Sequence, residues 1–122
     1  MNKTLLREWK KVFLPDLTYV CYELQDLITK PALIILEGEV GAGKTTFCQA
    51  FLQAETFSPT YSILTETHTT LHGDFYRLKS VDELTHLELP MYLEGKNYFF
   101  VEWGLDYAQN VYRQLPESFS CY

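Results

Sequence analysis

Gly38, Gly43, Lys44 and Thr45 stand in the order Gly-x-x-x-x-Gly-Lys-Thr, and each residue type in that string has a job in holding a triphosphate. Glycines at 38, 41 and 43 can take backbone angles closed to residues with a Cβ, so the segment can curl and turn several N–H groups toward one phosphate. Lys44 adds a point charge between the outer two phosphates. The Thr45 hydroxyl is an oxygen ligand of the kind magnesium prefers. A helix starting at Lys44 would bring the positive end of its dipole to the same anion.

A glycine-rich string is weak without a strand before it and a helix behind it, and both are legible. Residues 32–37 carry the apolar run Leu33-Ile34-Ile35-Leu36 of a buried strand. From Lys44 to about Ala54, Phe47, Ala50 and Phe51 recur at helical spacing and should face the core. Upstream, Leu17, Val20, Cys21, Leu24, Leu27 and Ile28 make an amphipathic helix with Asp16 as N-cap and Pro31 beyond its end, preceded at 7–14 by a short strand or an extended arm. Downstream, 61–66 and 70–76 alternate around the polar turn Thr67-His68-Thr69 as an antiparallel hairpin does. Ser80 and Glu83 form a capping box for a helix from Val81 to about Leu87, and Leu89–Leu93 is a turn or helical fragment ending at Gly95. Tyr98-Phe99-Phe100-Val101 reads as a strand buried on both faces, and 105–114 as a helix carrying Leu105, Ala108, Val111 and Tyr112. The fold class this order predicts is α/β: one P-loop NTPase-like domain over 1–122, with a mixed, mostly parallel sheet flanked by helices and a β-hairpin after the P-loop helix. A late strand would begin where the chain stops, around Ser118–Tyr122, so the domain is expected to be cut short there.

The acids complete the chemistry. Magnesium at a phosphate loop needs a carboxylate nearby, commonly at the end of an apolar strand beside the loop's own strand, and Glu102 after Val101 fits, directly or through a water. Asp74, late in the hairpin, could orient an attacking water or support the metal shell from outside. Thr60 could offer its hydroxyl to the metal or the γ-phosphate, although a turn threonine is equally ordinary. Arg77 could neutralise transition-state charge, but a salt bridge to Asp74 or Glu83 is the simpler expectation. His68 and His72 stand four apart in a segment that alternates as a strand, so no zinc site is read there, and His86 has no evident partner.

Composition narrows the class. At 122 residues and 47% hydrophobic, the chain suits one globular domain. No apolar run approaches the roughly 20 residues of a membrane span, and the N-terminus has neither an apolar h-region nor a small-residue cleavage site, so a cytoplasmic protein without signal peptide or membrane contact is expected. Cys21, Cys48 and Cys121 are odd in number and scattered, against both a disulfide framework and a thiolate zinc site. Ten Lys and Arg against sixteen Asp and Glu give a net charge of -6, which disfavours direct, strong nucleic-acid binding. Lys3, Arg7, Lys10 and Lys11 read as a solvated edge.

Four segments together resemble one family. Gly38 to Thr46, Ser58-Pro59-Thr60-Tyr61-Ser62, His72-Gly73-Asp74-Phe75-Tyr76-Arg77-Leu78 and Val101-Glu102-Trp103 are similar, in this order, to motifs of the TsaE family, the bacterial ATPase of tRNA threonylcarbamoyladenosine biosynthesis. The second and third segments are far more particular than the glycine-rich one. The resemblance runs from about Asp16 and implies ATP and magnesium as ligands, slow hydrolysis by the protein alone, and action with a TsaB–TsaD complex, through which tRNA is reached indirectly. It also implies that Gly41, Ala42, Gly43, Lys44, Thr45 and Thr46 hold the phosphates and that Thr45 and Glu102 are magnesium ligands. Lys44, Asp74 and Thr60 would serve hydrolysis, Trp103 would lie beside the site, and Thr18 would lie near the adenine. Two differences from the family pattern are the short link between the P-loop helix and Ser58 and the absence of a glycine-arginine strand after Tyr122.

Three functions therefore compete. An ATPase driving a tRNA-modifying complex fits every segment. A small-molecule kinase of the P-loop class shares the loop but usually needs lid arginines, and this chain has only Arg7, Arg77 and Arg113. A nucleotide-gated interaction module would use ATP only to order residues 56–77.

Overall fold

Tyr98–Glu102 (β4) presents bulky apolar side chains at four consecutive positions, so neither face can be left to water, and it lies in the middle of the sheet with all five residues buried. The computed structural model describes residues 4–38, 43–52 and 63–122, with Lys44, Thr45 and Leu52 described by backbone alone. Around β4 the chain lays down α1 (Leu17–Leu27), β1 (Ala32–Leu36), α2 (Lys44–Leu52), β2 (Leu64–Glu66), β3 (Thr70–Asp74), α3 (Val81–His86), α4 (Leu89–Leu93), α5 (Ala108–Gln114) and β5 (Ser120–Cys121). The strand order is β2-β3-β4-β1-β5. β4 pairs in parallel with β1 and with β3, β5 pairs in parallel with β1, and only β2 runs antiparallel, against β3. The expected mixed, mostly parallel sheet with a hairpin following α2 is the architecture observed.

The alternation of side chains along each strand divides the core into two layers. Ala32, Ile34, Tyr98 and Phe100 point to one face, where Cys21 and Ile28 from the α1 segment and Cys48 and Phe51 from α2 cover them. Leu33, Leu71, Phe99 and Val101 point to the other, against Leu84, Leu89, Leu93 and Val111 of α3, α4 and α5. On the first face the Phe51 ring meets Tyr98 and Phe100 edge-on, at centroid distances of 4.8 and 4.9 Å.

Local departures from the expected elements have visible causes. Residues 7–14 form no strand; they are an arm, with Arg7 and Trp9 both donating hydrogen bonds to the Glu23 carboxylate of α1. Hydrogen bonds from Tyr19 and from Trp9 hold that carboxyl below its usual range. Asp16 precedes α1, but its carboxylate accepts from the Phe13 N–H upstream rather than from the helix. Leu27, expected in the core, is 38% exposed, and Ile28 is buried in its place because the backbone turns extended there. Cys48, not among the predicted core positions of α2, is fully buried. The second hairpin strand stops at Asp74, since the Asp74 carboxylate accepts from the Tyr76 N–H and closes a 3-10 turn over Phe75–Arg77. That turn folds the Phe75 ring back over Gly73, where an added Cβ would come within 2.8 Å of it. The capping box forms in part: the Ser80 hydroxyl accepts from the Glu83 N–H, while the Glu83 carboxylate reaches back to the Lys79 N–H. Residues 53–62, which include part of the expected first hairpin strand, lie outside the described residues.

The three cysteines are unpaired; Cys21 and Cys48 are buried and Cys121 is exposed. Burial pushes the Cys21 thiol up to about 11, and burial together with the nearby Glu102 charge pushes Cys48 up as well. A thiol reagent at neutral pH should therefore label Cys121 and spare Cys21 and Cys48 until the chain unfolds. Mass spectrometry of the labelled native protein checks this, and three labels on folded chains would contradict the packing. Because Cys21 keeps its proton when folded, the unfolded chain binds fewer protons than the native one from pH 9.0 to about 11, and the urea midpoint should fall as pH rises through that window.

Candidate active site

The C-terminal ends of β1, β3 and β4 lie side by side because the parallel register pairs Leu36 with Glu102 and Glu102 with Asp74. Two acidic residues thus stand side by side at the same edge where β1 runs out toward Gly38. By the period of two, Asp74 and Glu102 share the sheet face that carries Phe100 and Ile34, the face covered by α1 and α2. α2 starts at Lys44, directly after Gly43, whose φ of +94° is one that a residue with a side chain rarely adopts. The Gly43 carbonyl accepts from the Phe47 N–H at 2.8 Å and so opens the helix. Cys48, one turn into α2, feels the Glu102 charge, which ties this helix to the acid at the end of β4.

Glu102 is 8% exposed, so it is no ordinary strand-end acid. Its Oε2 accepts a hydrogen bond from His72 Nε2 at 2.7 Å. His72 comes from β3, opposite Phe100, on the same face and one strand over. Asp74 is more open, its side chain one-third exposed, and its two oxygens accept from the Tyr76 N–H and from Arg77 Nε at 3.2 Å. The expected salt bridge of Arg77 is thus made to Asp74 rather than to Glu83.

After Glu102 the chain turns at Trp103, whose φ of +61° is left-handed and uncommon for an aromatic residue. The turn is set from below by Gly104, where a Cβ would stand 2.5 Å from the Val101 side chain. It brings the indole against Tyr76, with ring centroids 5.3 Å apart. A cleft of about 870 Å³ opens at these strand ends, lined among others by Glu37, Gly38, Tyr76, Trp103 and Asp106. Among the described residues no group of three or more His, Cys, Asp and Glu side chains could hold a metal ion by itself.

The family model for the threonylcarbamoyl adenosine biosynthesis protein TsaE matches residues 15–119 of this chain. The chain belongs to the TsaE family. It is 33% identical over 120 residues to the tRNA threonylcarbamoyladenosine biosynthesis protein TsaE of Bacillus subtilis, across 90% of this chain and 72% of that protein. A TsaE of Rickettsia felis is 36% identical over 82 residues, or 59% of this chain and 47% of that one. A crystal structure of Bacillus subtilis YdiB superposes with a TM-score of 0.56 at 28% identity, covering 89% of this chain and 69% of its own.

Of the TsaE motifs read in the sequence, two are brought together at one edge of the sheet: His72 to Leu78 and Val101 to Trp103. Gly43 and Thr46 frame the start of α2, Thr46 with its side chain exposed. Gly41, Ala42 and Thr60 lie outside the described residues, as do the side chains of Lys44 and Thr45. Thr18 is exposed at the second position of α1, and no hydrogen bond among the described residues joins it to the strand ends. The sequence places His72 in the TsaE-like segment His72 to Leu78 but assigns it no role of its own. Its place on the same strand as Asp74, two residues away, is the signal that could have found it.

Proposed function

We propose that this chain binds ATP with magnesium and hydrolyses it in support of threonylcarbamoyl transfer to a tRNA adenosine, acting in complex with TsaB and TsaD. The observation that carries the reading is the register that sets Asp74 beside Glu102 at the strand end leading to the glycine-rich segment. Membership of the TsaE family supplies the pathway.

In this reading the N–H groups of residues 41–46 and the Lys44 ammonium hold the phosphates. The chemistry of the donor set favours magnesium: a buried carboxylate on Glu102 and a hydroxyl on Thr45 are hard oxygen ligands. Bound there, the cation would neutralise charge on the outer phosphates. Asp74, more open to solvent than Glu102 and fixed by Arg77 and the Tyr76 N–H, orients the attacking water. Thr60 contributes a hydroxyl on the γ-phosphate side, Trp103 borders the nucleotide, and Thr18 lies toward the adenine. Arg7 is engaged with Glu23 and Arg77 with Asp74, which argues against the arginine-lined lid of a kinase.

ATP turnover measured with and without a TsaB–TsaD complex and tRNA tests the proposal. Slow turnover alone and a clear stimulation by the complex are expected. No stimulation, with phosphate transferred to a small acceptor instead, would establish the kinase reading in its place.

A further inference from the structure

Resting on the reading of Glu102 as a magnesium ligand, we infer that His72 is a positioning residue that fixes the Glu102 carboxylate for the metal. The bond between His72 Nε2 and Glu102 Oε2 is 2.7 Å long, and the two side chains are only 14% and 10% exposed. An ionised carboxylate accepts, so the imidazole donates through Nε2. A carboxylate on a flexible glutamate stem has two torsions free beyond its Cβ, and pinning one oxygen sets the plane and direction of the whole group. Both residues stand on strands of the central sheet, in parallel register and on one face, so the donor itself is rigidly mounted. Phe100, the register partner of His72 and two residues before Glu102 on the same face, is fully buried. Hydrogen bonds to a ligating carboxylate from such a neighbour tune metal affinity by about 10- to 100-fold.

The role differs from that of Asp74. Asp74 is opposite Glu102 in register but sends its oxygens to Arg77 and the Tyr76 backbone. His72 sends its ring nitrogen to Glu102 itself. Loss of His72 should therefore act on the magnesium-dependent part of nucleotide binding and spare the part that the phosphate-binding backbone provides alone.

The test is calorimetric titration of the full-length chain with ADP, once in excess magnesium chloride and once in EDTA. In the wild type, magnesium should tighten binding. His72→Phe should cut that tightening by about tenfold, with the Kd in EDTA unchanged. His72→Gln, whose amide nitrogen reaches the place of Nε2, should restore most of it, and His72→Asn, which is too short, should not. If His72→Phe does not fold by circular dichroism, the contrast between His72→Gln and His72→Asn decides. Glu102→Gln should abolish the tightening, and adding His72→Phe to it should bring no further loss. If Glu102→Gln abolishes the tightening while His72→Phe and His72→Asn leave it intact, the inference about His72 is overturned and the reading of Glu102 stands. If Glu102→Gln leaves it intact, or the wild type shows none, both are overturned. Equal weakening with and without magnesium would mark His72 as merely structural.

Discussion

Asp74→Ala should lower TsaB–TsaD-stimulated ATP hydrolysis by roughly 100-fold or more, the usual worth of a positioned acid or base, while nucleotide binding stays near that of the wild type. The carboxylate is open to water, one-third exposed at the end of β3, and it is steadied by Arg77 and the Tyr76 N–H. Removing it frees Arg77 from an exposed ion pair worth less than about 1 kcal/mol, so the fold should survive. Asp74→Asn drops the charge and keeps one acceptor oxygen, enough for the Tyr76 N–H that closes the turn but not also for Arg77, so it removes the acid while keeping the turn. Turnover and calorimetric binding on the same preparations check the outcome. If stimulated turnover is unchanged, Asp74 has no part in hydrolysis.

The second large effect is on stability. Phe100→Ala should cost about 3–5 kcal/mol, the usual range for emptying a buried phenylalanine site, out of a total that rarely exceeds about 15 kcal/mol. Phe100 is fully buried in the middle of the central strand, and its ring carries Phe51 of α2 edge-on at 4.9 Å. The cavity would thus lie between the sheet and the helix that leads away from the glycine-rich segment, and nucleotide affinity should fall with stability. Urea unfolding followed by circular dichroism measures it. A loss below about 1 kcal/mol, the scale of a surface change, would mean that the Phe51–Phe100 contact does not brace α2.

How far the sequence reached depends on whether the information was local. The run Tyr98–Val101 announced a strand covered on both sides, and Ser80 with Glu83 announced where α3 begins, since both signals lie within a few residues. The second hairpin strand ends earlier than its alternation suggests because Asp74 is both a strand residue and a turn-former, and its bond to the Tyr76 N–H wins. Leu27 and Ile28 were both assigned inward by apolar type, yet the helix ends between them and only one can point to the sheet. The sequence places Glu102 after an apolar run and Asp74 late in a hairpin strand, and the register sets the two residues side by side. The hydrogen bond from His72 was not legible, because the register between two parallel strands is set by packing across the whole sheet.

The strand order also fixes a timetable. β1 and β3 never pair with each other; each is joined to the sheet through β4, which leaves the ribosome after both of them. Until residue 102 has emerged, the nascent chain holds the hairpin of β2 and β3 and the β1 segment as pieces with no common partner, and their apolar faces stay open to chaperones or to one another. Closing this sheet requires contacts far apart in the chain, which slows folding. The last residue of the strand that joins β1 to the hairpin is Glu102, so the joining of these strands and the pairing of the two acidic positions are a single event, with β5 added at the edge of β1 afterwards. A nascent chain halted before β4 would carry the glycine-rich segment without the Glu102 carboxylate proposed to hold magnesium beside it.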